Sequence, residues 1–182
     1  MIYVMRHGQT DWNVEKRTQG SIETSLNEIG REQAEKVKQE LEDEKIDVIL
    51  CSPRKRCKET AEIICAGNDT IIQELEDLRE RNFGEFEGKK KGEDYDWIEF
   101  WDWESNHKYQ QAECVRDFYA RVVDIIDMIK NDYKNKNVLI ITHSGVVAMI
   151  YCYLNNIKPN GKLNIPGINN CEITKYNINW IY

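Results

Sequence analysis

The hydrophobic residues of the chain fall into two patterns, short apolar runs and longer stretches in which apolar positions recur with helical spacing. The short runs have the length and the β-branched or aromatic content of buried strands, and they lie at 2–5, 47–51 and 138–141. A further strand is predicted near 71–75, and the alternating tail over 171–182 predicts one or two closing strands.

Helical periodicity accounts for much of the chain between these strands. The first helix follows Asn27 as its N-cap, and Ile29 is predicted to lie on its buried face. Three more helices are predicted: one that begins at Ser52-Pro53, one over 113–133 and one over 145–154. Because strands alternate with helices, the pattern predicts an α/β fold, a three-layer α/β/α sandwich with a mainly parallel central sheet.

The length of 182 residues is that of one domain, so we expect a single domain over 1–182. One stretch, 89–113, interrupts the alternation and is rich in acidic and aromatic residues. Trp97, Trp101 and Glu104 have helical spacing there, which predicts a short helix. The segment is either a surface helix whose aromatic residues pack on the core or a small, partly helical cap insert over the functional site.

Composition and charge narrow the range of functions. A formal net charge of −7 argues against a nucleic-acid partner, because nucleic-acid-binding proteins usually present a basic surface, but it leaves room for a local cationic pocket. The apolar N-terminal run ends at Arg6, too short for a secretion signal or a membrane span, so we expect a cytoplasmic protein with no membrane partner. The six cysteines show neither a C-x-x-C pair nor zinc-ligand spacing, and we expect reduced thiols and no metal.

Residues with catalytic potential follow the predicted strands. Arg6 and His7 come directly after the first strand, and His143 comes directly after the most apolar one. Arg56 lies in the helix after the second strand, and Glu80 lies in the segment after the third. Each of them alone is also compatible with an ordinary loop or surface position. Because the carboxyl ends of parallel strands share one edge of a sheet, we expect them to form a cationic cup with one carboxylate. Guanidinium groups bind tetrahedral oxyanions in a bidentate manner, so a phosphate monoester fits this cup.

Five ordered motifs extend this pattern over nearly the whole chain. The first begins with Arg6-His7-Gly8 and extends to residue 13, and the second combines 19–20, 26–27 and 30–34. The other three lie at 52–61, at 78–88 and at 138–143. With these motifs the sequence resembles the histidine phosphatase superfamily, the phosphoglycerate-mutase-like group. Within that group it is similar to the short phosphatases, which include α-ribazole phosphatases, phosphoserine phosphatases and broad-specificity phosphatases. It departs from the usual family pattern at 23–26, at 112–114 and at Ser144.

The resemblance implies a catalytic site. His7 is implied as the nucleophile that becomes a phosphohistidine, since a neutral imidazole carries a lone pair near pH 7. Arg6, Arg56 and His143 are implied to bind the phosphoryl oxygens, a task of alignment and charge stabilisation. Glu80 is implied as the general acid for the leaving alcohol, and its carboxylate then activates water.

The resemblance also implies substrate-binding positions at Asn13, Gln19, Gly20 and Ser144. The implied activity is hydrolysis of a small-molecule phosphate monoester without a metal or another cofactor. Two other functions remain open: a phosphoglycerate mutase, which usually has a longer chain, and a non-catalytic module that binds a phosphorylated ligand. A mutase isomerises 3-phosphoglycerate, and a binding module releases no phosphate at all, so an assay of phosphate release distinguishes the three functions.

Overall fold

A five-stranded sheet runs through the centre of the structure, a computed structural model that describes residues 1–157 and 168–177. Its strands are β1 (Ile2–Arg6), β2 (Val48–Cys51), β3 (Ile71–Glu74), β4 (Val138–Thr142) and β5 (Ile173–Tyr176). Their order across the sheet is β3-β2-β4-β1-β5, and all neighbouring pairs are parallel except β1 and β5. The predicted mainly parallel sheet is confirmed. Of the one or two closing strands predicted over 171–182, β5 is one, and 178–182 lies outside the described residues.

Six α-helices lie within the described residues. They are α1 (Asp11–Val14), α2 (Glu28–Glu40), α3 (Lys55–Cys65), α4 (Trp97–Phe100), α5 (Val115–Asp132) and α6 (Ser144–Leu154). Single 3₁₀ turns lie at Glu76–Leu78 and Gly84–Phe86. None of these described helices has the length and apolar character needed to cross a membrane.

Two hydrophobic cores cover the two faces of the sheet, because neighbouring residues of a strand point to opposite sides. Val4 and Ile140 point to the face that is covered by α5 and α6. Met5 and Ile141 point to the other face, which is covered by α2 and α3. The predicted α/β fold with helices on both faces of the sheet is confirmed.

The start of α3 differs from the sequence prediction. The helix begins at Lys55 with Arg54 as its N-cap, not at Ser52-Pro53. The backbone N–H of Lys55 donates to the Glu23 carboxylate at 2.8 Å. The Glu23 side chain, which is distant in sequence, therefore accepts a hydrogen bond from the first turn of the helix. This role was predicted for Ser52.

The first turn of α2 packs closely against the loop that follows β1. A Cβ atom on Gly8 would lie 2.5 Å from the carbonyl oxygen of Gly30, so the two backbones approach as only glycine allows. Because the helix meets the loop through Gly30, the neighbouring Ile29 is 52% exposed, and its predicted place on the buried face is wrong. Ala34 and Val37, further along the same helix, are buried as predicted.

Arg81 holds the segment 89–113 on the body of the protein. Its Nη1 donates to the Phe100 carbonyl at 2.7 Å and its Nε donates to the Glu113 carbonyl at 2.8 Å. The guanidinium carbon also lies 4.1 Å from the centre of the Phe100 ring. The predicted short helix in this segment is confirmed as α4, although it ends at Phe100 and leaves Trp101 beyond it.

Candidate active site

The carboxyl ends of the parallel strands β1, β2 and β4 meet at a cavity of about 310 Å³. The cavity is lined by all nine residues that the sequence predicts for the site: Arg6, His7, Asn13, Gln19, Gly20, Arg56, Glu80, His143 and Ser144. The geometry thus brings the predicted residues together, and the role of each remains a prediction.

His7 is buried at the end of β1 and its imidazole is held in one orientation. Its Nδ1 lies 2.7 Å from the carbonyl oxygen of Gly8. Because a carbonyl only accepts, Nδ1 carries the hydrogen and Nε2 keeps a free lone pair. Burial lowers the pKa of His7 well below its usual range, and the charges of Arg56 and Arg6 lower it further. The imidazole is therefore neutral near pH 7 and able to act as a nucleophile.

Two guanidinium groups lie beside His7 in the cavity, a buried one from Arg56 and a partly buried one from Arg6. Arg6 donates from Nη1 to the Ile168 carbonyl at 3.0 Å, and Arg56 donates from Nη1 and Nη2 to the carbonyls of Ile22 and Gly20 at 2.9 Å. The Nε atoms of both arginines are buried without a hydrogen-bond partner among residues 1–157 and 168–177. Burial lowers the pKa of both arginines, and charged donors left without a protein acceptor favour an anion in the cavity.

His143 sits between Arg56 and Ser52. Arg56 Nη2 lies 3.1 Å from Nδ1 of His143, and Ser52 Oγ lies 2.8 Å from Nε2. Since a guanidinium only donates, Nδ1 accepts and Nε2–H donates to the serine. Burial lowers the pKa of His143 well below its usual range, with Arg56 adding to the effect. Both ring nitrogens thus have protein partners here, so a direct contact with a phosphoryl oxygen requires that one of these hydrogen bonds be exchanged.

Glu80 enters the cavity opposite the histidines. Its Oε1 accepts from the Arg81 N–H at 3.0 Å, and its Oε2 accepts from the Gly145 N–H at 3.1 Å. The Ser144 hydroxyl donates to the same Oε2 at 3.5 Å. In this structure Ser144 therefore contacts the carboxyl group, whereas the sequence assigns it to substrate binding. The two backbone donors fix the position of the carboxyl at the edge of the site.

The loop between β1 and α2 forms one wall of the cavity. Asn13 Oδ1 accepts from the Thr10 N–H at 3.0 Å, which closes the first turn of α1. Gln19 Oε1 accepts from the Thr24 hydroxyl at 2.6 Å. The predicted binding residues Asn13 and Gln19 thus use their carbonyl oxygens to shape the loop.

Several residues of this site were not predicted from the sequence. Arg17, Thr18, Phe83, Lys91 and Trp97 also line the cavity. The last two belong to the aromatic segment 89–113, and its composition was the available signal for them. Among the residues behind the cavity, Ser52 bonds to His143 as described, and Asn170 donates from Nδ2 to the His7 carbonyl at 2.8 Å. Asn170 had no sequence signal, because its contact with β1 depends on how the C-terminal segment returns to the sheet.

The described residues contain no group of three or more His, Cys, Asp or Glu side chains with the geometry to hold a metal ion. The positive charges in the cavity come instead from arginine and lysine. A neutral nucleophile, two guanidiniums and one carboxyl define a site that is suited to phosphoryl transfer from a monoester.

Comparison with known proteins agrees with this class of chemistry. The sequence model of the histidine phosphatase superfamily (branch 1) matches residues 2–179. The chain therefore belongs to the histidine phosphatase superfamily, and both the predicted resemblance and the predicted enzyme class, a phosphatase, are confirmed.

Individual relatives share both sequence and fold with this chain. The metal-independent phosphoserine phosphatase of Arabidopsis thaliana is 32% identical over 174 residues, which are 89% of this chain and 71% of that protein. The structure of Bacillus stearothermophilus YhfR has a TM-score of 0.87 at 29% identity, over 94% of this chain and 88% of that one. The α-ribazole phosphatase from Shigella flexneri has a TM-score of 0.76 at 26% identity, over 87% of this chain and 81% of that one.

Proposed function

We propose that this protein hydrolyses phosphate monoesters of small metabolites through a phosphohistidine on His7. One observation carries the proposal. The Nδ1–H of His7 is tied to a backbone carbonyl, which leaves a nucleophilic Nε2 in a cavity beside two guanidiniums that have free buried donors. The relatives named phosphoserine phosphatase and α-ribazole phosphatase support a phosphorylated small molecule as the substrate.

In the first step Nε2 of His7 attacks phosphorus, and the bond between phosphorus and the ester oxygen breaks. Glu80 donates its proton to the leaving oxygen, so the alcohol departs neutral. Arg6 and Arg56 stabilise the charge that builds on the other phosphoryl oxygens, and His143 keeps Arg56 in place through the bond to Nδ1.

In the second step a water molecule replaces the alcohol beside Glu80. The Glu80 carboxylate takes a proton from this water, and the water oxygen attacks phosphorus. The bond between phosphorus and Nε2 breaks, inorganic phosphate leaves, and His7 returns to its neutral form. Each turnover therefore consumes one ester and one water and regenerates the enzyme.

The mutase alternative requires the phosphoenzyme to survive until the phosphoryl group returns to a second position of the substrate. Two of the three relatives described above are named phosphatases, which favours hydrolysis. Assaying 3-phosphoglycerate for both isomerisation and phosphate release distinguishes the two, and the proposal expects phosphate release to dominate.

We infer that the enzyme acts as one domain over 1–182 on free metabolites in the cytoplasm, with neither nucleic acid nor membrane as a partner. The net charge of −7 supports this inference, because a nucleic-acid or anionic membrane surface repels an acidic protein. The segment 89–113 contributes two residues to the cavity, which supports its role as a cap over the substrate.

Phosphate release from a panel of monoesters tests the proposal directly. The panel contains p-nitrophenyl phosphate, phosphoserine, α-ribazole phosphate and sugar phosphates, each with and without exhaustive EDTA treatment. We expect release that survives chelation and is abolished in His7→Ala. Retained phosphate binding without turnover of any ester contradicts hydrolysis and favours the binding-module alternative. Activity that EDTA abolishes and Mg²⁺ or Zn²⁺ restores contradicts the metal-free mechanism.

A further inference from the structure

The peptide group between Gly8 and Gln9 connects the nucleophile to helix α2. On one side its carbonyl oxygen, that of Gly8, lies 2.7 Å from Nδ1 of His7 and accepts the hydrogen of that ring nitrogen. On the other side its N–H, that of Gln9, donates to Oε1 of Gln33 at 2.9 Å. Gln33 belongs to the motif at 30–34, and none of the proposed reaction steps uses this motif.

The first turn of α2 brings the helix close to this peptide. A Cβ atom on Gly30 would lie 2.1 Å from the carbonyl oxygen of Gln9, so the helix approaches the loop as only glycine allows. The Asn27 N–H donates to the same carbonyl at 3.0 Å, and the Asn27 side chain donates to Gln9 Oε1 at 3.1 Å. Gln33 lies nearly one turn beyond Gly30. Because side chains of a helix tilt toward its N-terminus, Gln33 reaches back to the Gln9 N–H.

The hydrogen bonds of His7 and Gln33 depend on each other because they share one rigid peptide plane. The peptide is trans, so its C=O and its N–H point in opposite directions from that plane. A rotation that breaks the bond to Gln33 therefore also turns the Gly8 carbonyl away from His7. Hydrogen bonds in such a chain also polarise one another, so donation to Gln33 makes the carbonyl a stronger acceptor for Nδ1–H.

The neighbouring peptide, between His7 and Gly8, is fixed independently of Gln33. Its N–H, that of Gly8, donates to the Thr60 hydroxyl oxygen at 3.0 Å, and its carbonyl, that of His7, accepts from Asn170. The backbone of the nucleophile is therefore held by other side chains. The contribution of Gln33 is to the orientation of the imidazole and to the choice of the ring nitrogen that carries the hydrogen.

We propose that Gln33 is a positioning residue for the nucleophile. By accepting from the Gln9 N–H, its amide oxygen fixes the Gly8 carbonyl on Nδ1–H of His7 and keeps the lone pair on Nε2, the atom that attacks phosphorus. Without this oxygen the Gln9 N–H loses its acceptor and the peptide turns toward water. Part of the His7 population then carries its hydrogen on Nε2, which cannot attack. This inference rests on the proposed phosphatase function and adds a residue that acts through His7 on the first step.

Nitrogen NMR of the imidazole rings tests the proposal, because the chain has only three histidines and ring nitrogens with and without hydrogen have well-separated shifts. In the wild type we expect the hydrogen on Nδ1 in His7 and on Nε2 in His143, whose Nδ1 accepts from Arg56. Gln33→Met keeps the length of the side chain and removes the acceptor. It is expected to move the His7 signals toward those of the other tautomer and to leave the His143 signals unchanged.

Kinetics of the same variant is a second readout. Gln33→Met is expected to lower kcat/KM for p-nitrophenyl phosphate by roughly 10- to 100-fold, the usual cost of removing a group that orients a functional imidazole through its other nitrogen. The same loss is expected on glycerol 1-phosphate, because every ester needs the nucleophile and Glu80 is intact. The inhibition constant of inorganic phosphate is expected to stay unchanged, because Arg6 and Arg56 remain in place.

Further variants separate the acceptor from the side chain that carries it. Gln33→Glu keeps an acceptor oxygen and is expected to restore the His7 tautomer and most of the rate. Gln39→Met replaces an exposed glutamine of the same helix and is the matched control, expected to change neither readout. Gln33→Leu also removes the acceptor, and it takes the place of Gln33→Met if that variant does not fold.

Four outcomes overturn the proposal. Gln33→Met keeps the wild-type tautomer of His7, or it keeps the wild-type kcat/KM, or Gln33→Glu is as slow as Gln33→Met, or the signals of His143 move together with those of His7. The last outcome means that the substitution disturbs the whole site and not the nucleophile alone. Failure of the phosphatase function itself has a different signature, since the wild type then releases phosphate from no ester while the His7 tautomer still responds to Gln33→Met.

Discussion

Replacing Gly145 with alanine tests whether the position of the Glu80 carboxyl controls the reaction. Gly145 lies in the first turn of α6, and a Cβ atom there would lie 2.4 Å from Glu80 Oε1 and 3.0 Å from the Trp101 ring. Ordinary van der Waals contact begins at 3.4 Å, so the carboxyl oxygen must move by about 1 Å. A displacement of roughly 1 Å of a reacting group lowers catalysis by about 10²-fold.

The expected loss depends on the leaving group. For Gly145→Ala we expect kcat/KM for glycerol 1-phosphate to fall by roughly 100-fold, because an alkoxide needs the proton of Glu80 to depart. The loss on p-nitrophenyl phosphate is expected to be much smaller, since nitrophenolate is a weak base. The free energy of unfolding in urea is expected to fall by about 1–3 kcal/mol, because the methyl group displaces the Glu80 carboxyl from its backbone donors and presses on the Trp101 ring.

A double-mutant cycle with Glu80→Gln shows whether the effect passes through the carboxyl. In the Glu80→Gln background the proton donor is already absent, so adding Gly145→Ala is expected to lower the rate on glycerol 1-phosphate only slightly further. If Gly145→Ala lowers that rate by the same factor in both backgrounds, the displacement of Glu80 is not the cause and the reasoning is wrong.

Two further predictions concern stability. Arg81→Met removes the two hydrogen bonds to the Phe100 and Glu113 carbonyls and is expected to lower the free energy of unfolding by about 2–4 kcal/mol and to raise KM. Urea unfolding and steady-state kinetics check this, and unchanged stability contradicts the role of Arg81 in holding the segment 89–113. The pKa values of His7 and His143 in the folded protein lie below the ordinary 6.5. As pH falls below 6.5 the unfolded chain therefore binds more protons than the folded one, and the free energy of unfolding decreases. His7→Asn is expected to reduce this slope by up to about 1.4 kcal/mol per pH unit between pH 6.5 and 5.5, and an unchanged slope contradicts a neutral buried His7.

Much of the site could be predicted because it depends on the ends of parallel strands. Arg6, His7 and His143 follow apolar runs that are recognisable in sequence, and parallel pairing of β1 with β4 necessarily brings their ends together. The same logic predicted the fold class, since buried runs alternating with helical periodicity leave few other arrangements.

What the sequence did not reveal depends on contacts between distant segments. The N–H of Lys55 in the first turn of α3 donates to Glu23, whereas Ser52 accepts from the N–H of the N-cap Arg54 and from His143. Lys91 reaches the cavity only because its segment pairs with the loop at 16–18, and no local pattern encodes that pairing. Helix and strand propensities and hydrophobic periodicity describe only a residue's own segment. They therefore give no information about partners from distant segments.

The central claim is that the phosphoryl group passes through His7. Rapid quench of Glu80→Gln with p-nitrophenyl phosphate tests it most directly, because this variant is expected to complete the first step and to stall at the second. We predict a burst of about one equivalent of nitrophenol and a phosphoryl group on His7, stable in base and labile in acid, by mass spectrometry of the quenched protein. His7→Ala is expected to show neither the burst nor the label. A label on another residue, or turnover without any phosphoenzyme in Glu80→Gln, contradicts the account.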